Sequence, residues 1–181
     1  MGYQVIASES IFEGKVFDVR RDQIELPDGR QSKLDLVVHP GAVALIPIDE
    51  RGRVWFVRQY RHASGGELLE LPAGTLESGE TPEHCAAREC REEIGMSPGG
   101  LEHLGGFYLA PGYSTEYLNV FLATDLRPDP SPRDTDEDIQ VEKLTVSDLE
   151  ELLETGGLQD AKSLAAIAMA SGRIGRTSPQ V

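Results

Sequence analysis

Apolar positions recur along the chain with two different periods. The segments "KVFDVRRDQIEL" and "QSKLDLVVH" alternate as strands do and flank "PDG", where the fixed φ of Pro27 and the permissive Gly29 make a turn. Residues 11–39 therefore predict an antiparallel hairpin arm. "HPGAVALIPI" and "GRVWFVRQY" follow as strands about a turn at residues 49–52, and the first is so continuously apolar that burial on both faces is expected. "LEHLGGFYLA" and "EYLNVFLATDL" read as strands joined by "PGYST". After the Pro- and Asp-rich loop "RPDPSPRDTDED", "QVEKLTV" is a further short strand.

Helical signals occupy three places. Thr81 suits an N-cap, Pro82 the first turn, Glu83 the positive helix end and Gly95 a left-handed stop, which brackets a helix between them. Ser147 with Glu150 makes a capping box for a helix to about residue 154, and Asp160 caps another running to about residue 171. Strands first, a helix among them and helices at the end predict a mixed α/β sandwich. The partition expected is an antiparallel β arm over residues 1–40, a main domain over 41–172 and a frayed tail over 173–181.

Composition narrows the partners. With 181 residues, 39% of them apolar and 27% charged, the chain suits one soluble domain with an appendage. A net charge of -14 argues against nucleic acid and acidic membrane as partners. An anionic small molecule would need a local positive patch or a bound metal. No run approaches the roughly 18 apolar residues of a membrane helix, the first residues lack a signal-peptide pattern, and Ile6 stands where myristoylation wants Ser or Thr. Cys85 and Cys90, about 140° apart on one helix, cannot bridge each other, and with His84 they are too few for a zinc site. They read as small apolar residues in a reducing compartment, so a cytoplasmic location is expected.

Charges crowd the central helix. With Arg88 at zero and 100° per residue, Glu92 falls at about 40°, Glu89 at about 100° and Glu93 at about 140°. Ala86, Cys90 and Ile94 cover about 160° to 240°, an apolar stripe that docks the helix. The carboxylates thus sit beside the core. Like charges at i,i+4, such as Glu89 and Glu93, cost a helix about 0.2–0.5 kcal/mol, so the arrangement makes sense where a hard divalent cation fills it.

Gly74, five residues, Glu80, seven residues, Arg88-Glu89, then Cys90, Arg91, Glu92-Glu93, Ile94, Gly95 and Met96 resemble the Nudix box of the Nudix hydrolases without a gap. Cys90 stands where that family prefers Leu, Ile or Val, and a small apolar thiol fills such a position. The resemblance implies a Nudix-type α/β/α sandwich and Mg²⁺-dependent hydrolysis, with Mn²⁺ or another divalent cation able to substitute. It implies Glu89 and Glu93 as principal metal ligands, joined by the carbonyl of Ala73. Glu92 is implied as a further ligand or the base, and Arg88 and Glu80 as the pair that orients the carboxylates.

Outside the box, "FEGKVFDVRRD", "LPDGR", "HPGAVA", "VRQYRH", "ELLELPAG" and "YLAPGYSTEYLNVFLA" resemble the ADP-ribose pyrophosphatase branch, and Pro111 lies sixteen residues after Gly95 as its marker proline does. This implies a small nucleoside diphosphate substrate, ADP-ribose split to AMP and ribose 5-phosphate, and a homodimer with exchanged arms. Arg61 and Arg58 resemble its substrate arginines, Glu70 and Glu116 its carboxylates for the adenine and ribose ends, and Val16 and Lys33 residues that reach substrate from the partner arm. Thr115 departs from an acid found in many relatives. Glu137, in "RDTDEDIQ", matches a catalytic or metal-assisting glutamate, beside Glu92 and Glu93 as candidates for the base. The alternatives are a hydrolase of another nucleoside diphosphate sugar, a non-catalytic Nudix sensor and a metal-binding structural domain. Every box acid is present and no basic extension is, which disfavours the sensor.

Overall fold

The computed structural model describes residues 2–132 and 138–175. Its contacts divide the chain into two compact units, residues 1–41 with 107–118 and residues 42–106 with 119–181. The tail expected over 173–181 is described only to residue 175, where Arg173 donates to Glu102.

The first unit is an antiparallel sheet in the order β1 (Gln4–Glu13), β2 (Asp18–Glu25), β3 (Gln31–Val38). The turn at "PDG" closes as expected, with Gly29 at φ 83° and its N–H donating to the Leu26 carbonyl at 2.9 Å. β1 is a finding beyond the expected hairpin. Every residue of β1 is exposed, and its pairing with β2 slips between Val5 and Ala7 and again between Ser10 and Phe12. No buried face imposes a period of two there, and each slip would move the alternation to the other face. Ser8 donates to the buried Asp22 at 2.6 Å, which ties β1 to β2. Residues 107–118 join this unit through Val37, whose N–H donates to the Tyr113 carbonyl and whose carbonyl accepts from Thr115.

Two further sheets are built largely from residues of the second unit. One has the order β10 (Ile139–Leu144), β5 (Val54–Arg61), β6 (Gly66–Glu70), and the other the order β7 (Ala73–Thr75), β4 (Ala42–Pro47), β9 (Tyr117–Pro128), β8 (Met96–Tyr108). β4 is buried at every position, as its unbroken apolar run requires, and both α1 (Pro82–Ile94) and α3 (Ala161–Met169) pack against it. Cys85, Ala86, Cys90 and Ile94 of α1 share one core with Val43 and Leu45 of β4, Val57 of β5 and Phe121 of β9. The arrangement is a mixed α/β sandwich.

Helix α2 (Val146–Thr155) starts earlier than its sequence suggests. The pattern of a hydroxyl followed three residues later by an acid occurs twice, and the structure uses Thr145 with Asp148 in place of Ser147 with Glu150. Thr145 N–H donates to Asp148 at 2.8 Å and its hydroxyl accepts from the Asp148 N–H at 3.2 Å. Leu149 is the buried residue of this helix among those described. Asp160 caps α3 as expected, its carboxylate accepting from Ser163 N–H at 3.0 Å. Thr145→Ala is expected to lower stability by about 1 kcal/mol and Ser147→Ala by much less, read from urea midpoints at equal slope.

Candidate active site

Helix α1 is bounded by the residues its sequence offers. Thr81 accepts from His84 N–H at 3.3 Å, Pro82 fills the first turn, and Gly95 closes the helix at φ 70°. Docking of Ala86, Cys90 and Ile94 fixes the rotation of the helix about its axis. That rotation buries Glu89 and Glu93 at the core's margin and leaves Arg88 and Glu92 half-buried.

Arg88 joins three of the acids. Its Nε and Nη2 donate to the two oxygens of Glu80 at 2.9 and 3.0 Å, and its Nη1 donates to Glu89 at 2.6 Å and Glu92 at 3.0 Å. Nη2 also reaches the Thr75 carbonyl at 3.2 Å and Cys85 Sγ at 3.3 Å. These carboxylates raise the guanidinium's pKa, the Glu80 hydrogen bond most of all, and the same bond holds the Glu80 carboxyl down to about 2. Burial pushes both thiols up, Cys90 to about 12, so both cysteines are protonated packing residues.

Glu93 accepts from the Ala73 N–H at 2.9 Å. Ala73 and Gly74 are pinned to β4, where they pair with Ala44 and Val43. Gly74 answers to a close approach: a Cβ there would lie 1.7 Å from Oε1 of Glu89. Only glycine lets the Glu89 carboxylate rest against this strand.

A second cluster lies at the ends of β5 and β6. Arg61 grips Glu70 with two hydrogen bonds, Nε to Oε1 at 2.8 Å and Nη2 to Oε2 at 2.7 Å. Lys162 of α3 also donates to Glu70, and to Asp160 at 2.9 Å. Burial alone would raise the Glu70 carboxyl's pKa, but Arg61 and Lys162 outweigh it and hold it low. Arg61 is raised, chiefly by its bond to Glu70 and further by the charges of Glu93 and Asp160. Arg58, expected beside Arg61 as a substrate arginine, is paired with Glu142 on the neighbouring strand.

The comparisons with known proteins bear on this geometry. The family profile for the NUDIX domain matches residues 38–167, and that for the nucleoside diphosphate sugar hydrolase N-terminal domain matches residues 3–33. The chain belongs to the Nudix family. An ADP-ribose pyrophosphatase of Bacillus subtilis (strain 168) is 40% identical over 166 residues, 91% of this chain and 90% of that protein. An ADP-ribose pyrophosphatase of Mycobacterium tuberculosis (strain ATCC 25618 / H37Rv) is 44% identical over 126 residues, 69% of this chain and 61% of that protein. A crystal structure of an ADP compounds hydrolase superposes with a TM-score of 0.84 over 95% of this chain and 94% of the other, at 22% identity. The Nudix fold expected from the box is therefore the fold found.

Nudix hydrolases as a class need a divalent cation, and the donor set of α1 suits one. Three carboxylates on one helix face, with the backbone of Ala73 alongside and a cradle at Gly74 that a Cβ would fill, offer the oxygen ligands a hard cation takes. Among the described residues no three His, Cys, Asp or Glu side chains already converge to ligate a metal. Arg88 draws Glu89 and Glu92 toward itself while the Ala73 amide holds Glu93. A cation would compete with these bonds for the same carboxylate oxygens.

The other expected residues lie in the first unit or outside the described chain. Val16 is exposed and lines, with Lys15, Phe17, Asp18 and His39, a cavity of about 370 Å³ within that unit. Lys33 is exposed on β3 opposite Gln23. Pro111 lies in the turn closed by Ser114 N–H on the Ala110 carbonyl, and Glu116 N–H donates to the Ser114 hydroxyl at 3.1 Å. Thr115, the departure from the branch pattern, accepts from His39 N–H at 3.0 Å. Glu137 lies outside the described residues.

Lys162 and Ser163 are members of these clusters that the sequence pattern did not mark, while Cys85 was read only as a packing residue. Asp160 was visible as a cap, but no local signal announces that Lys162 meets an acid 92 positions away.

The Glu80 pKa gives a stability prediction. A carboxyl held below its ordinary 4.5 contributes stability that is full above about 4.5 and is lost as pH falls toward about 2. Wild-type protein is expected to lose stability over that window by an amount that Glu80→Gln lacks, so the two urea midpoints converge as pH falls.

Proposed function

We propose that the protein hydrolyses the diphosphate of ADP-ribose, giving AMP and ribose 5-phosphate, with Mg²⁺ as its cation. The observation that carries this is the Arg88-centred set of glutamates on α1, within a chain 40% identical to an ADP-ribose pyrophosphatase over 91% of its length. Glu89, Glu93 and the carbonyl of Ala73 would hold the cation, which when bound would supply neutralisation of the diphosphate charge and polarisation of the phosphorus. Arg88 and Glu80 keep the glutamates in place, and Glu92, half-buried at the edge of the cluster, accepts the proton from the attacking water, a role for which Glu93 and Glu137 are the other candidates. Arg61 offers a phosphate the guanidinium N–H donors that its two bonds to Glu70 leave over, and substrate contacts of Arg58 and Glu70 rest on their resemblance to the branch. The substrate contacts proposed for Val16, Lys33, Pro111 and Glu116 rest on their resemblance to the branch.

The match of residues 3–33 to a nucleoside diphosphate sugar hydrolase N-terminal domain favours a second reading, hydrolysis of another nucleoside diphosphate sugar. Release of AMP from ADP-ribose, compared with cleavage of GDP- and UDP-sugars under Mg²⁺, separates the two. Cleavage of the latter without the former would overturn the substrate and leave the box chemistry standing. With ADP-ribose, Glu92→Gln and Glu93→Gln are expected to lower kcat/KM by about 10²–10⁴-fold, and EDTA to abolish turnover.

We further infer a cytoplasmic homodimer with exchanged arms. Supporting it, the arm exposes Tyr3, Val5, Ile6, Ile11, Phe12, Val16 and Phe17, an apolar surface of the kind that marks an interface. Among the described residues no helix is long and apolar enough to cross a membrane. Sedimentation at micromolar concentration is expected to show a dimer for the wild type and a shift to monomer for Val5→Asp.

A further inference from the structure

The buried carboxylate of Glu70 is 1% exposed and holds two cations where one would neutralise it. Arg61 takes both of its oxygens through Nε and Nη2, using two of the five guanidinium N–H donors. Lys162, itself largely buried, approaches the Oε2 side of the same carboxylate and is anchored from behind by Asp160 at 2.9 Å. Asp160 is in turn fixed as the cap of α3, accepting from the N–H and the hydroxyl of Ser163, and the Ser163 hydroxyl accepts from the N–H of Leu71, the residue after Glu70. The first turn of α3 therefore grips the end of β6 through both the side chain of Glu70 and the adjoining backbone. Arg61 is within electrostatic reach of Glu93 on the acidic face of α1.

We propose that Lys162 is a positioning residue for substrate binding, acting on Arg61 through the shared carboxylate of Glu70. A carboxylate held on one edge by a rigid two-point guanidinium and on the other by an anchored ammonium has one orientation, so Arg61 has one as well. With Lys162 in place the cluster of Arg61, Lys162, Glu70 and Asp160 is neutral. Without it the cluster gains a net negative charge beside the place where an anionic diphosphate must come.

The role in binding rests on the proposed diphosphate hydrolysis, so the test has one arm that depends on turnover and one that does not. In the first, Lys162→Met is expected to raise KM for ADP-ribose about tenfold with kcat changed less than about threefold, and Lys162→Arg to restore KM. In the second, solvent exchange of the Arg61 Nε–H, assigned by NMR from its loss in Arg61→Lys, is expected to accelerate at least about tenfold in Lys162→Met and to recover in Lys162→Arg. Unchanged Arg61 exchange in a folded Lys162→Met protein overturns the inference, as does unchanged KM. A wild type that cleaves no nucleoside diphosphate sugar overturns the functional reading instead, and the exchange measurement still decides whether Lys162 holds Arg61.

Discussion

The guanidinium of Arg88 bonds Glu80, Glu89 and Glu92, three carboxylates that would otherwise face one another at the edge of the core. Two like charges about 4 Å apart repel by about 4 kcal/mol at an effective dielectric near 20, more than a surface helix gains from several favourable pairs. A single planar cation with five donors can serve all three acids at once, which an ammonium could not do with the same geometry. Other features follow from this contact. Glu80 must sit at the end of the loop before α1, β7 must lend its Thr75 carbonyl, and Gly74 must lack a side chain so that Glu89 can lie where Arg88 reaches it.

The sequence was most legible where one residue's neighbours in the chain are also its neighbours in space. The caps Thr81, Asp160 and Gly95, the double-sided burial of β4 and the stripe of Ala86, Cys90 and Ile94 each depend on spacing within a few turns. The Nudix box is legible for the same reason, since a helix converts spacing into a common face. Its placement against Ala73 and Gly74 also follows, because these residues lead directly into the helix through one short loop.

What escaped the sequence depends on distant partners or on the lack of a buried face. β1 carries apolar residues without a consistent alternation, because nothing in its own unit buries it and two bulges interrupt its register. At α2 two overlapping capping patterns compete, and the structure takes the earlier one, Thr145 with Asp148. Arg58 and Arg61 look equivalent in "VRQYRH", yet the first pairs with Glu142 across β10 and the second with Glu70 across β6. Each pairing is set by which strand happens to lie alongside, and that is a property of sheet order.

The segment from Glu70 to Ala73 shows how such distant contacts come to matter for the box. Glu70 meets Arg61 and Lys162, Leu71 N–H meets Ser163, the Pro72 carbonyl accepts from Leu45 N–H, and Ala73 N–H meets Glu93. Four consecutive residues thus touch β5, α3, β4 and α1 in turn. Leu71 is fully buried, so its backbone amide must find a partner inside the protein, and Ser163 is the one it has. A shift of this segment by one residue would break all of these bonds together, taking the Ala73 amide from the buried Glu93 and disturbing the two cations on the buried Glu70. The cost of that is several kcal/mol per group, far above the small penalties of surface rearrangement. The register of a four-residue link is therefore held from all sides, and through it the strand that supports the α1 glutamates is held as well.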